Sequence, residues 1–160
     1  TGTIKLAGAQ WTWVGTSFAE SAGIYKTLGV EAMDLIAMPG AALTADGLTA
    51  DPQGQAKMVK DLDIELVNLI VLLGEGFADR ALNSTDESVR QQNRDRIARI
   101  VDFCAEAGLQ SLTLLPGIEH EGMSREDAQS IAAEELHATA TSEALRAENT
   151  SPASSKYTPC

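Results

Sequence analysis

Cysteine is scarce in this 160-residue chain: there are two, Cys104 and the terminal Cys160. So few cysteines at this length exclude a disulfide-built scaffold and make a reducing cytoplasm the expected compartment. Positive charge is scarce as well. Lys and Arg number 12 against 23 Asp and Glu, a formal charge of −11. That balance argues against non-specific binding to nucleic acid or anionic lipid, both of which attract clustered cations. No apolar run approaches the ~18 residues of a membrane span, and the first residues do not read as a signal peptide. The chain has only two histidines, His120 and His137. Neither sits in a His-x-His or His-x-x-Glu spacing, so no local metal motif is present. The glycines fall in no lysine-bearing phosphate loop.

What is present is a repeated pattern. Ile4 to Gln10 reads as a short strand, and both tryptophans, Trp11 and Trp13, follow in the loop. Ser17 and Glu20 have the spacing of a capping box. Phe18, Ala22, Tyr25 and Leu28 recur at helical spacing, and Gly29 is a natural left-handed stop. Val30 to Met38 is a second strand, broken by Pro39-Gly40. The stretch AALTADGLTA reads as loop. Asp51-Pro52 opens a helix to about Asp61. Ile64 to Leu73 (IELVNLIVLL) is nearly all apolar, as a strand buried on both faces should be. After Gly74-Glu75-Gly76 and a polar loop, Phe77 to Glu87, comes the longest helix. Its buried stripe is Ile97, Ile100, Val101 and Cys104. Arg90, Arg94 and Arg96 lie off that stripe and read as a solvated face. Gly108 stops this helix, and LTLLPG (112–117) is the fourth strand with its turn. Ser124 caps a fourth helix starting near Asp127.

Strand and helix therefore alternate four times. Strand starts fall near 4, 30, 64 and 109, and the expected class is α/β with parallel strands under helices. After Leu136 the helical stripe fades. Residues 1–136 read as one domain and 137–160 as a divergent, partly disordered tail, unstructured from Asn149.

The phrases GEGFADRALNSTDESVRQQNRDRIARIVDFCAEAG and LTLLPG, in that order, resemble the xylose isomerase-like sugar-phosphate isomerase/epimerase family. That family shares its (β/α)8 TIM barrel with endonuclease IV. The resemblance covers about residues 3 to 136. It implies a partial TIM barrel of about four βα units, the N-terminal half only, either a truncated form or a genuine half-barrel. It also implies isomerisation or epimerisation of a sugar-like small molecule. Full-length members use a divalent metal (Mn, Mg, Co or Zn) held by later strands, so no metal or other cofactor is expected in this chain. The alternative is a non-catalytic half-barrel for binding or oligomerisation. Four strands leave two unpaired edges, so a homodimer through those edges is expected.

Chemistry in such barrels belongs at the C-terminal ends of the strands. That rule selects the candidate substrate-binding residues Trp11, Trp13, Glu75, Glu119 and His120; no catalytic residue is assigned. Trp11 and Trp13 would wall a sugar ring or plug the core. Glu75 would bond hydroxyls or stand solvated on a turn. Glu119-His120-Glu121 would offer at most one or two side chains to a site, since neighbouring side chains point apart. His137 reads as a surface helix residue. Asp34, inside an apolar strand, needs a hydrogen-bonding partner.

Overall fold

The computed structural model describes residues 6–150, with side chains to 141. Four strands form one parallel sheet in sequence order. They are β1 (Ala7–Ala9), β2 (Ala32–Ala37), β3 (Glu65–Val71) and β4 (Ser111–Leu114). The connecting helices are α1 (Phe18–Thr27), α2 (Ala45–Ala50), α3 (Pro52–Lys60), α4 (Glu87–Ala107) and α5 (Arg125–Thr150), with a 3₁₀ turn at Gln10–Trp13. The α/β class and the four parallel βα units are as the periodicity predicts. Of the expected first strand, Ile4 and Lys5 lie outside the described residues, and Gln10 belongs to the 3₁₀ turn.

Local chemistry sets the helix ends. The Ser17 hydroxyl accepts from the Glu20 N–H while the Glu20 carboxylate accepts from the Ser17 N–H, both halves of the capping box. Gly29 and Gly108 take φ of +75°, the left-handed conformation that ends α1 and α4. The expected loop AALTADGLTA contains α2. Its signal is a Thr44 hydroxyl accepting from the Gly47 N–H at 3.1 Å and one large apolar residue, Leu48, fully buried. One apolar residue gives no periodicity to read.

The core lies on one side of the sheet. Met33, Leu35, Leu69 and Val71 meet Leu48, Val59, Ile97, Ile100 and Phe103 from the helices. Gly8 in β1 belongs to the same layer: a Cβ there would lie 2.1 Å from the Tyr25 ring. The Tyr25 hydroxyl donates to the Ala9 carbonyl at 2.5 Å, so α1 is bolted to the edge strand. The other side of the sheet is different. Contrary to the expectation for β3, only Leu69 and Val71 are buried, and Leu66, Val67, Asn68 and Ile70 are half-buried. Four strands close no barrel, so this strand has helices on one face only.

Arg90, Arg94 and Arg96 of α4 are not a solvated face. Glu135 of α5 is 6% exposed. Arg94 Nη1 donates to both its carboxylate oxygens at 2.7 Å, and Arg90 Nε lies 3.2 Å from one of them. Glu87 pairs with both arginines from the other side. Arg96 reaches Asp46 at 2.5 Å and the Leu73 carbonyl at 3.1 Å. The helix α5 itself runs past Leu136 to Thr150. Thr139 and Thr141, whose β-branching weakens the helical pattern, donate their hydroxyls to the carbonyls of Glu135 and His137. Residues 151–160 of the expected tail, Cys160 included, lie outside the described residues. No described helix is long and apolar enough to cross a membrane.

Candidate functional site

The C-terminal ends of β1 to β4 point the same way, since the strands are parallel. The loops after them carry the candidate residues. The two tryptophans separate. Trp13 packs edge-on against Tyr25, ring centroids 5.3 Å apart and planes at 70°, and joins the core. Trp11 is 52% exposed. The three-residue loop thus supplies one plug and one free aromatic surface.

After β3, Gly74-Glu75-Gly76 is a turn. The Glu75 N–H donates to the Asp79 carboxylate at 2.8 Å, and a Cβ at Gly74 would sit 2.4 Å from that carboxylate. The Glu75 side chain is exposed and borders a cleft of about 270 Å³ shared with Pro39, Thr44, Asp46 and Arg96.

After β4, the loop is organised by a residue the sequence did not single out. Asn83 is 2% exposed. Its amide nitrogen donates to the carbonyls of Ile118 (2.7 Å) and Ala128 (3.3 Å), and its oxygen accepts from the Ile118 N–H at 3.0 Å. Those bonds fix which way the amide points. His120 Nε2 lies 3.2 Å from the same oxygen. An amide oxygen only accepts, so His120 meets it with Nε2–H and, when neutral, keeps Nδ1 as its basic nitrogen. Gly117 has φ +135°, and a Cβ there would lie 2.1 Å from Asn83 Oδ1. The glycine is required both by conformation and by contact. Asn83 itself sits in a loop that α4 ties down: buried Asn93 donates to the carbonyls of Arg80 and Ala81 at 3.1 and 3.3 Å.

Glu119 is exposed and accepts from Arg125 Nε at 2.7 Å. It borders a cleft of about 370 Å³ between the β4 loop and the start of α5, with Asn83, Pro116, Gly117, Arg125 and Gln129. Glu121 and His137 are exposed. The structure therefore gathers Asn83, Gly117, Glu119 and His120 into one neighbourhood and leaves Glu75 in another.

Asp34 has its partner: Asn68 hydrogen-bonds its carboxylate, and burial nevertheless holds its pKa above the ordinary range. A divalent ion needs several converging donors. Among the described residues no three His, Cys, Asp or Glu side chains form such a group. The described residues therefore do not fit the divalent metal that the sequence resemblance implies for full-length members.

No family model matches the sequence, and no curated protein matches it. Solved structures do match in fold. D-psicose 3-epimerase, crystallised in the presence of D-fructose, superposes with a TM-score of 0.60 at 15% identity, over 86% of this chain and 48% of that one. The 3-keto-D-glucoside 4-epimerase of E. coli gives 0.58 at 13% identity, over 89% of this chain and 53% of that one. The chain spans about half the length of these TIM-barrel sugar epimerases, as a half-length xylose isomerase-like fold does.

Proposed function

We propose that this chain is a sugar (phosphate) isomerase/epimerase-like half-barrel in the cytoplasm. Its strand-end face binds a sugar-like small molecule, and it lacks the full metal site of the complete barrel. The observation that carries this reading is the fold itself, shared at TM-scores near 0.6 with two sugar epimerases. Trp11 offers an aromatic face for a sugar ring. Glu75, Glu119 and the free Nδ1 of His120 offer hydrogen-bond acceptors for hydroxyls. Trp13, locked against Tyr25, supports the loop. Isomerase chemistry requires a polarised carbonyl and a carboxylate to move the neighbouring proton. The divalent ion that does the first in full-length barrels has no converging ligand set among the described residues. That same fact favours the second reading, a non-catalytic binding or oligomerising module. A homodimer through the exposed sheet edges belongs to both readings, and neither involves nucleic acid or membrane.

Titration of the chain with ketohexoses and their phosphates, followed by tryptophan fluorescence, tests the binding site. Saturable quenching is expected, and Trp11→Ala should weaken binding roughly tenfold, the equivalent of about 1.4 kcal/mol. Absence of any saturable response would remove the sugar-site reading. Isomerase assays with added Mn²⁺, Co²⁺ or Mg²⁺ should show no robust turnover; robust turnover would refute the incomplete metal site. A stoichiometric ion in the purified protein would favour the enzyme over the module.

A further inference from the structure

The Asn83 amide closes its hydrogen-bond count with nothing left over. Its nitrogen donates to the carbonyls of Ile118 and Ala128, and its oxygen takes the Ile118 N–H and His120 Nε2–H. A side-chain amide has two donors and two acceptor lone pairs, so the set is full. Turning the amide over would set its oxygen against two carbonyls. The residue is 2% exposed and joins three elements: the loop before α4, the β4 loop and α5. His120 is only half-buried. One end of its ring is anchored on this amide, and Nδ1 has no hydrogen-bond partner among the described residues.

We propose that Asn83 is a positioning residue that makes His120 a one-ended pH gate: the ring holds the amide through Nε2–H in both charge states, so protonation changes Nδ1 alone and switches the strand-end face from accepting a sugar hydroxyl to refusing it. This rests on the sugar-binding reading and gives that site its response to pH.

The neutral Nε2–H tautomer and the imidazolium both carry a proton on Nε2. The bond to Asn83 therefore survives titration, and it gains charge assistance once the ring is protonated. A free imidazole exchanges tautomers and offers either nitrogen. Here that exchange would set the Nε2 lone pair against Asn83 Oδ1, two acceptors face to face in a part-buried contact. Nδ1 is therefore the titrating nitrogen. Neutral, it accepts from an O–H; protonated, it only donates. The charged groups of the neighbourhood are Glu119 and Glu121 on the same loop and Arg125 and Asp127 on α5, while the loop before α4 contributes the neutral Asn83. Glu119 accepts from Arg125 Nε at 2.7 Å, Asp127 accepts from the Ser124 hydroxyl at 2.7 Å, and Glu121 is exposed. Of these residue types histidine is the one that ordinarily changes charge between about pH 5 and 8. Sugar binding therefore weakens as pH falls through the ring's titration. By linkage, saturating sugar lowers the midpoint of that titration.

Two measurements on the full chain test this. Long-range proton–nitrogen correlation spectra of histidine-labelled protein follow both imidazoles across about pH 5 to 8, with His137→Gln used for assignment. His120 is expected as the Nε2–H tautomer alone when neutral, and exposed His137 as a mixture. Calorimetric titration with unphosphorylated ketohexoses over the same range should show affinity falling about tenfold in step with the His120 signal, the worth of one hydrogen bond. His137→Gln should keep that profile. His120→Gln retains an N–H for Asn83 and has no titrating nitrogen, so its affinity should be weaker than wild type at high pH and flat with pH. A His120 ring in mixed tautomers overturns the anchoring by Asn83. Affinity that ignores the His120 titration, or a pH profile that survives in His120→Gln, overturns the gate and leaves the sugar site standing. No saturable binding at any pH overturns the sugar site and the gate together, with the tautomer spectra still deciding the role of Asn83.

Discussion

Glu135→Ala is expected to lower the unfolding free energy by about 2–3 kcal/mol, a large loss for a single polar residue of this fold. Glu135 is almost wholly buried, and its carboxylate takes hydrogen bonds from Arg94 through both oxygens and an ion-pair contact from Arg90. Alanine leaves two guanidiniums in a partly dehydrated seam, with Glu87 the carboxylate still paired to them beside neutral acceptors on Ser84 and Gln91. Breaking a fully buried pair costs roughly 3–5 kcal/mol, and the arginines' partial exposure places this one at or below the low end. The loss should appear as a lower urea midpoint with an unchanged slope. Glu135→Gln keeps an acceptor for Arg94 and should lose about half as much. If alanine and glutamine behave alike and both cost under about 0.5 kcal/mol, the pair is an ordinary surface contact.

Gly117→Ala should be comparably damaging, at about 2–4 kcal/mol, by a different route. The left-handed φ of +135° strains any side chain, and the added methyl carbon would sit 2.1 Å from Asn83 Oδ1 and 2.3 Å from its Cγ. Asn83 is buried and bound on three sides, so it cannot yield without losing its bonds to Ile118 and Ala128. Gly122 is the natural control. Its φ of +78° is also left-handed, but nothing lies within 4 Å of a Cβ there. Gly122→Ala should cost only about 1 kcal/mol, the backbone part alone. Thermal unfolding of both variants separates conformation from contact. Faster amide exchange at Ile118 in Gly117→Ala alone would locate the damage in the β4 loop. Equal losses at the two glycines would refute the role given to Asn83.

Much of the fold was legible because its determinants are local. The capping box at Ser17 and Glu20 spans four residues, and Gly29 and Gly108 end helices by a property of one residue. Apolar runs marked β2, β3 and β4. The short α2 escaped because six residues, five of them small or polar and one a buried leucine, carry no period. What escaped at the site was non-local. Asn83 reaches partners 35 and 45 residues away, and within ALNSTDES it looks like any polar loop residue. Arg90 and Arg94 read as solvated because their partner Glu135 is on a helix whose docking no local pattern announces. Residues selected by the strand-end rule did fall on the strand-end loops, but the rule could not say that Trp13 is locked while Trp11 is free.

The sequential order of the sheet has a kinetic consequence. Every strand pairs with the one before it in the chain, and β2 lies beside both β1 and β3. No rung has to wait for a partner more than one helix-bearing crossover away. Loop-closure entropy is therefore spent in modest instalments, which favours rapid folding for a parallel sheet. During synthesis each unit can dock on its predecessor as it emerges, with no pairing that requires the last strand to find the first.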